Sequence, residues 1–142
     1  MYQLNPIFES INNDNDYDSA LKIFNSLSEE DKWKLCPWHG RYKNVPVLYR
    51  HVITNKGFVD IYPYNHSKKV GFLLIAVAPK YRGKGVTYDL MKECFKDCKT
   101  IGIKKIWWVC ANSNTDSLRA GLKNGFKLQK KGKTETRLYK DL

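Results

Sequence analysis

The sequence predicts a mixed α/β layer fold, and three observations point to it. Apolar residues follow helical spacing in the first 35 positions, then change to a period of two from Val45. From residue 70 onward, strand-length apolar runs alternate with helical stretches and end in a hairpin. The third observation is size: 142 residues fall within the roughly 100–150 of a common domain, so residues 1–142 read as one unit. A chain this long can bury roughly two-thirds of its unfolded surface without metal or disulfide. Its 42% hydrophobic and 13% aromatic content excludes an intrinsically disordered chain.

Residues 1–10 offer a short first strand. Asp14 or Asp16 can cap a helix that carries Tyr17, Ala20, Leu21, Phe24 and Leu27 at helical spacing. Ser28 with Asp31 resembles a capping box opening a second short helix through Trp33 and Leu35. Residues 36–44, with Pro37 and Gly40, read as loop. Alternation then predicts a strand over 45–53, a turn at Asn55-Lys56-Gly57 and a second strand over 58–64. A third strand spans 70–78, where Pro79 ends regular pairing because it cannot donate to a ladder. The next helix has Val86, Leu90, Met91, Cys94, Phe95 and Cys98 on its apolar side and stops at Gly102. A buried strand over 103–111 follows, then a helix over 115–124 capped by Asn114 or Thr115 and stopped by Gly125. The last strands, 126–129 and 136–139, flank a basic turn from Lys130 to Lys133.

Charge is the unusual property. The 25 basic and 14 acidic side chains give +11, yet residues 1–31 are net −6 and the remainder +17. Between Asp60 and Asp89 there is no acid, while Lys68, Lys69, Lys80, Arg82 and Lys84 fall inside. That pattern suits a Lys-rich solvated surface or a site for a polyanion, either a phosphorylated cofactor or nucleic acid. No stretch approaches the ~20 apolar residues of a membrane span, and residues 1–10 lack the basic-then-apolar order of a secretory signal. The four cysteines then suggest a reduced, cytoplasmic protein. Cys94 and Cys98 fall on a buried helix face; a zinc site from them with Cys36 and His39 is conceivable but joins unrelated segments, so no metal is expected.

The densest chemical signal is Val77-Ala78-Pro79-Lys80-Tyr81-Arg82-Gly83-Lys84-Gly85-Val86-Thr87. An apolar strand runs into a loop with two glycines that feeds the first turn of a helix. Glycines there permit positive φ and close approach to bare amides. The first helical N–H groups lack partners and lie at the positive end of the macrodipole, so they suit an anion. The amides of residues 83–88 are therefore predicted to cradle a phosphate or pyrophosphate, with Arg82 and Lys84 adding cations. A Walker loop and a dinucleotide fingerprint both fit poorly, the first on spacing and the second because Tyr88 stands where a third glycine is needed.

The same string resembles the acyl-CoA signature of the GNAT superfamily of N-acetyltransferases, Gln/Arg-x-x-Gly-x-Gly/Ala, met here by Arg82 and Gly85 with Thr87 in place of the small final residue. Asn114, Ser117 and Gly125-Phe126 resemble the family's strand–Asn–helix–Gly-Phe segment. The resemblance covers residues 70–128 specifically and 1–69 only in architecture. It implies a mixed, mostly antiparallel central sheet with helices on both faces, and acetyl transfer from acetyl-CoA to a primary amine. By the same resemblance, Ile75, Ala76 and Val77 would offer strand-edge groups to pantetheine, as an added strand does. Arg82, Gly83, Lys84, Gly85, Val86, Thr87 and Tyr88 would hold the pyrophosphate, and Asn114 would reach the pantetheine arm.

Two departures concern catalysis. Many members place a tyrosine general acid four residues before the Gly-Phe, here Gly121, and a glutamate base five before the Asn, here Val109. The catalytic residues are thus unassigned. His51, Asp60, Tyr62, Tyr64, His66 and Tyr139 are substitutes, each more readily explained as structural, and Cys110 as nucleophile is weaker still. Holding reactants together supplies effective molarities on the order of 10⁵ M or more, so an enzyme without either group still works, more slowly. For the acceptor, a small-molecule or protein amine, Glu29, Glu30 and Asp31 beside Trp33, Trp38 and His39 would suit a cation, although acids near a helix end have a plainer explanation in the dipole. Two other readings stay open: a CoA-binding protein without catalysis, and a basic nucleic-acid module built on residues 127–133. No membrane partner is expected, nucleic acid is disfavoured, and a homodimer is left open.

Overall fold

A computed structural model of the chain describes residues 14–32 and 47–142. The expected first strand, the continuation of the second helix through Trp33 and Leu35, and the loop over 36–44 lie outside the described residues. Helix α1 spans Asp14–Asn25 and α2 spans Val86–Ile101, with α3 at Thr115–Lys123. The strands are β1 Tyr49–Ile53, β2 Gly57–Pro63, β3 Val70–Val77, β4 Lys105–Ala111, β5 Lys127–Lys131 and β6 Glu135–Asp141. Ser28 does cap the turn at residues 29–32, its hydroxyl accepting from the Asp31 amide at 3.1 Å.

These strands form one sheet in the order β1-β2-β3-β4-β6-β5, antiparallel throughout except for β3 beside β4. One face receives α1, whose Ala20, Ile23 and Phe24, with Leu27 just beyond the helix, pack on Phe58, Tyr62, Leu74 and Ala76. The other receives α2 through Leu90, Met91, Cys94 and Cys98, and α3 beside Trp108, Phe126 and Leu138. The predicted fold class therefore holds, with helices on both faces.

Several boundaries move. Of the strand expected over 45–53, residues 45–46 lie outside the described residues; among those described regular pairing begins at Tyr49, although the Leu48 amide already donates to the Ile61 carbonyl at 2.7 Å. The strand expected from 103 starts at Lys105, because the Lys104 amide is spent on the Lys69 carbonyl at 2.6 Å. The final turn falls at residues 132–134, since a register shift between Leu128 and Lys130 lets β5 continue through Lys131.

Charge produces the one feature of the core that alternation hides. Arg50 and Asp60 are paired across β1 and β2, and both are buried. Arg50 Nε and Nη2 donate to the two Asp60 oxygens at 2.7 and 2.8 Å, and the Tyr62 hydroxyl donates to the same carboxylate at 3.1 Å. Burial is tolerable because each charge is met in bidentate geometry.

What positions the site is the short contact between β3 and β4. They pair only at Val70–Lys105, Gly71–Ile106 and Phe72–Trp107. Beyond that point β3 stays paired to β2 as far as Val77, and β4 stays paired to β6 as far as Ala111. Each strand is held on its outer side, so the inner edges diverge and leave a wedge in the sheet.

Candidate active site

A cavity of about 260 Å³ occupies that wedge. The diverging edges form its walls, residues 73–77 on β3 and 108–110 on β4. Leu27 and Asp31 close it on the α1 face, Asn114, Asp116, Ser117 and Ala120 on the α3 side, and Arg82 with Thr87 at the loop end. Of the sequence-predicted cofactor residues, Ile75, Ala76, Val77, Arg82, Thr87 and Asn114 are brought together here. Gly83, Lys84, Gly85 and Tyr88 are exposed next to it, and the Val86 side chain is buried in the core under α2.

The loop has the geometry of an anion site. Pro79–Tyr81 makes a 3-10 turn, after which Gly83 and Gly85 take φ of 73° and 80°. A β-carbon added at either would meet nothing within 4 Å, so space is open above the backbone. Among the described residues no backbone carbonyl accepts from the amides of residues 83–88. Lys56, Lys80 and Lys84 place their ammonium groups 5.6, 5.8 and 6.0 Å from the Tyr81 ring centre, which concentrates positive charge at this mouth. Arg82 is half-exposed; its Nη2 lies 2.8 Å from Asp31 Oδ2 and its Nε donates to the Val77 carbonyl at 3.3 Å.

At the other end, Asn114 Oδ1 accepts from the Ser117 amide at 3.3 Å and so caps α3. The Trp108 indole N–H donates to Ser117 Oγ at 3.0 Å, directing that hydroxyl into the wedge wall. Sequence reasoning gave Ser117 no chemical role, because its partner is known only once α3 is laid on β4. Cys110 lines the cavity as a buried thiol; burial raises its pKa, partly offset by the Ser117 hydroxyl.

The two departures have distinct structural meanings. Val109 lines the cavity. At Gly121 an added β-carbon would come 2.6 Å from Leu138 Cδ1 and 3.2 Å from the Trp108 ring, so any side chain there requires both neighbours to shift. Of the substitutes, Asp60 and Tyr62 belong to the Arg50 ion pair, and burial holds the Tyr62 hydroxyl protonated well above its ordinary range. His66 is exposed in a turn, His51 lies on β1, and Tyr64 and Tyr139 pack around Trp107. None of these six lines the cavity. Asp31, of the acids expected near the acceptor, does line it; Trp33, Trp38 and His39 lie outside the described residues. Among the described residues no three His, Cys, Asp or Glu side chains cluster as metal ligands, and no helix is long and apolar enough to cross a membrane. Cys94 and Cys98 lie 3.8 Å apart, sulfur to sulfur, inside the core.

No curated protein matches the sequence. Solved structures share the fold at low identity. The GNAT domain of S. lividans PAT is 14% identical, with 91% of this chain and 86% of that one covered at a TM-score of 0.71. A GNAT superfamily phosphinothricin acetyltransferase from Sinorhizobium meliloti, solved with AcCoA, is 20% identical over 61% of this chain and 54% of that one, at 0.54. Campylobacter jejuni N-acetyltransferase PseH, solved with acetyl coenzyme A, is 22% identical over 61% and 59%, at 0.52. The sequence pattern of the acetyltransferase (GNAT) family matches residues 10–126, most of the chain, and the protein belongs to that family.

Proposed function

We propose that residues 1–142 form one N-acetyltransferase domain that transfers acetyl from acetyl-CoA to a primary amine. The observation that carries this is the wedge between β3 and β4, open on both edges and leading straight to the bare amides at the start of α2. A thioester cosubstrate fits the donor set: strand edges for amide groups, and an uncovered N-terminus with three lysines for phosphates. Similarity to the two acetyltransferases solved with acetyl-CoA supports the same reading.

Acetyl-CoA supplies an activated acyl group. On this reading, the amides of residues 83–88 fix the pyrophosphate, Arg82 leaves Asp31 to join it, and residues 75–77 hold the pantetheine in register. Ser117, oriented by the Trp108 N–H, donates a hydrogen bond toward the leaving sulfur. A donor fixed in advance costs no reorganisation when charge develops there. Val109 contributes no base, so the acceptor must arrive neutral or lose its proton to water.

An amine library assayed for acetyl-CoA-dependent thiol release tests the proposal, with acetyl-CoA binding measured separately. Val109 and Gly121 favour one rival, a CoA binder without turnover. Binding without release on any amine selects it, and absence of binding removes both.

A further inference from the structure

The wedge opens on the α1 face beside Val109, and the cross-strand partner of Val109 on β6 is Arg137. Directly paired residues project from the same face with Cβ atoms about 5 Å apart, so Arg137 stands beside the Val109 wall of the cavity without itself lining it. Its guanidinium carbon lies 5.3 Å from the Trp107 ring centre and 5.9 Å from that of Tyr64. Nη2 donates to the Tyr64 hydroxyl at 3.3 Å, while Nε is buried without a hydrogen-bond partner.

Nearby carboxylates are committed elsewhere. Asp60 takes Arg50, and Asp141 lies 3.7 Å from Lys105. Among the described residues Arg137 has no ion pair, although Glu135 lies two positions away on β6. A permanently charged group is thus half-buried with one long hydrogen bond and an orphaned N–H, an arrangement that costs stability unless something else meets it. Ring contact explains part of it, since a guanidinium stacks on aromatic faces, but leaves Nε without an acceptor. Lys105 already sits 5.5 Å from the centre of the same Trp107 ring, with its own carboxylate. What a guanidinium adds over an ammonium is a planar fork with parallel N–H groups, and its complement is a carboxylate.

We propose that Arg137 anchors a carboxylate carried by the acceptor, so that the preferred acceptors are amines with a carboxylate, of the amino-acid class. The inference rests on the acetyltransferase reading for its amine half; the carboxylate half stands on Arg137 alone. It replaces the purely cationic acceptor that Glu29, Glu30 and Asp31 suggested, since Asp31 is engaged by Arg82.

The test compares free amino acids with their carboxamides and decarboxylated amines, by thiol release and by calorimetric titration of binding. The acids are expected to exceed their carboxamides about 10- to 100-fold in kcat/KM and in affinity. Arg137→Gln removes that preference, chiefly through KM, and leaves decarboxylated amines as they were; Arg137→Lys recovers part of it. Acids no better than carboxamides in both readouts overturn the anchor, and so does an Arg137→Gln variant that loses acids and decarboxylated amines equally. If Arg137→Gln does not fold, Arg137→Lys carries the same comparison. Acetyl-CoA is titrated on its own: tight carboxylate binding without acetyl-CoA binding keeps the anchor and removes the acetyltransferase reading.

Discussion

Helix α2 offers a matched pair of positions for testing the anion cradle. Gly85 before its first turn and Gly102 after its last both lie in the left-handed region, at φ of 80° and 97°. A β-carbon at either meets nothing within 4 Å. Replacing each with valine therefore costs strain without a steric clash, about 1–2 kcal/mol for a left-handed L-residue and more for a β-branched one. For a chain of this size that corresponds to a fall in Tm of about 4 °C per kcal/mol. The two variants should lose similar stability, but only Gly85 borders the amides of residues 83–88. Gly85→Val is expected to weaken CoA binding at least 10- to 100-fold, roughly one or two charge-assisted hydrogen bonds, while Gly102→Val binds as the parent does. Calorimetric titration with CoA at a temperature where both variants are folded measures this. Unchanged affinity in Gly85→Val would refute the cradle, and equal losses in both variants would show that stability alone is being read.

Three further outcomes follow from the same coordinates. Arg82→Ala should weaken CoA binding more in low salt than in high salt, whereas Asp31→Asn should strengthen it about 2- to 5-fold in low salt by releasing Arg82, on the scale of an exposed ion pair; identical salt slopes would argue that Arg82 is structural. Ser117→Ala should leave the acetyl-CoA Kd unchanged and lower kcat about 10- to 100-fold, and an unchanged kcat removes the assigned hydrogen bond. Burial, then the 2.7 Å bond to Asp97, raises the Tyr49 hydroxyl far above its ordinary value of about 10. Its contribution is complete below about pH 10; above that the unfolded chain ionises while the folded one does not, so stability falls by up to about 1.4 kcal/mol per pH unit. Tyr49→Phe should flatten that decline in urea melts without abolishing it, because Tyr62 shifts in the same direction.

Local signals made much of this molecule readable in advance. Ser28 caps where the capping pattern places it, Gly102 and Gly125 stop α2 and α3, and Pro79 stands just beyond the last paired residue of β3. The positive φ of Gly83 and Gly85 was legible because it depends on one short stretch of chain. What could not be read is every contact made through space. Arg50 on a period-two strand resembles a solvent-facing residue until the Asn55-Lys56-Gly57 turn sets it opposite Asp60. That register was the available signal, since a short hairpin turn fixes cross-strand partners. For Trp108 with Ser117, and for Arg137 with Tyr64, no such signal exists; one pair depends on how α3 lies on β4, the other spans 73 residues.

Two residues on α3, Ser117 and Gly121, bear on the acetyltransferase reading. A side chain at position 121 would press on Leu138 and the Trp108 ring, so the glycine there matches the packing of tryptophan on β4. That tryptophan does more than fill volume, because its N–H holds the hydroxyl of Ser117. Positions 117 and 121 are four apart on one helix face, a displacement of about one 5.4 Å turn. On the acetyltransferase reading, the hydrogen-bond donor at the leaving sulfur lies one turn earlier on α3 than the family's usual tyrosine, and the Trp108 N–H orients it. Trp108→Phe keeps a six-membered aromatic ring but deletes the N–H with the five-membered half of the indole; at a temperature where the variant is folded it should reproduce the kcat loss of Ser117→Ala and keep the acetyl-CoA affinity. A fully active Trp108→Phe enzyme would mean that the indole is there for packing alone.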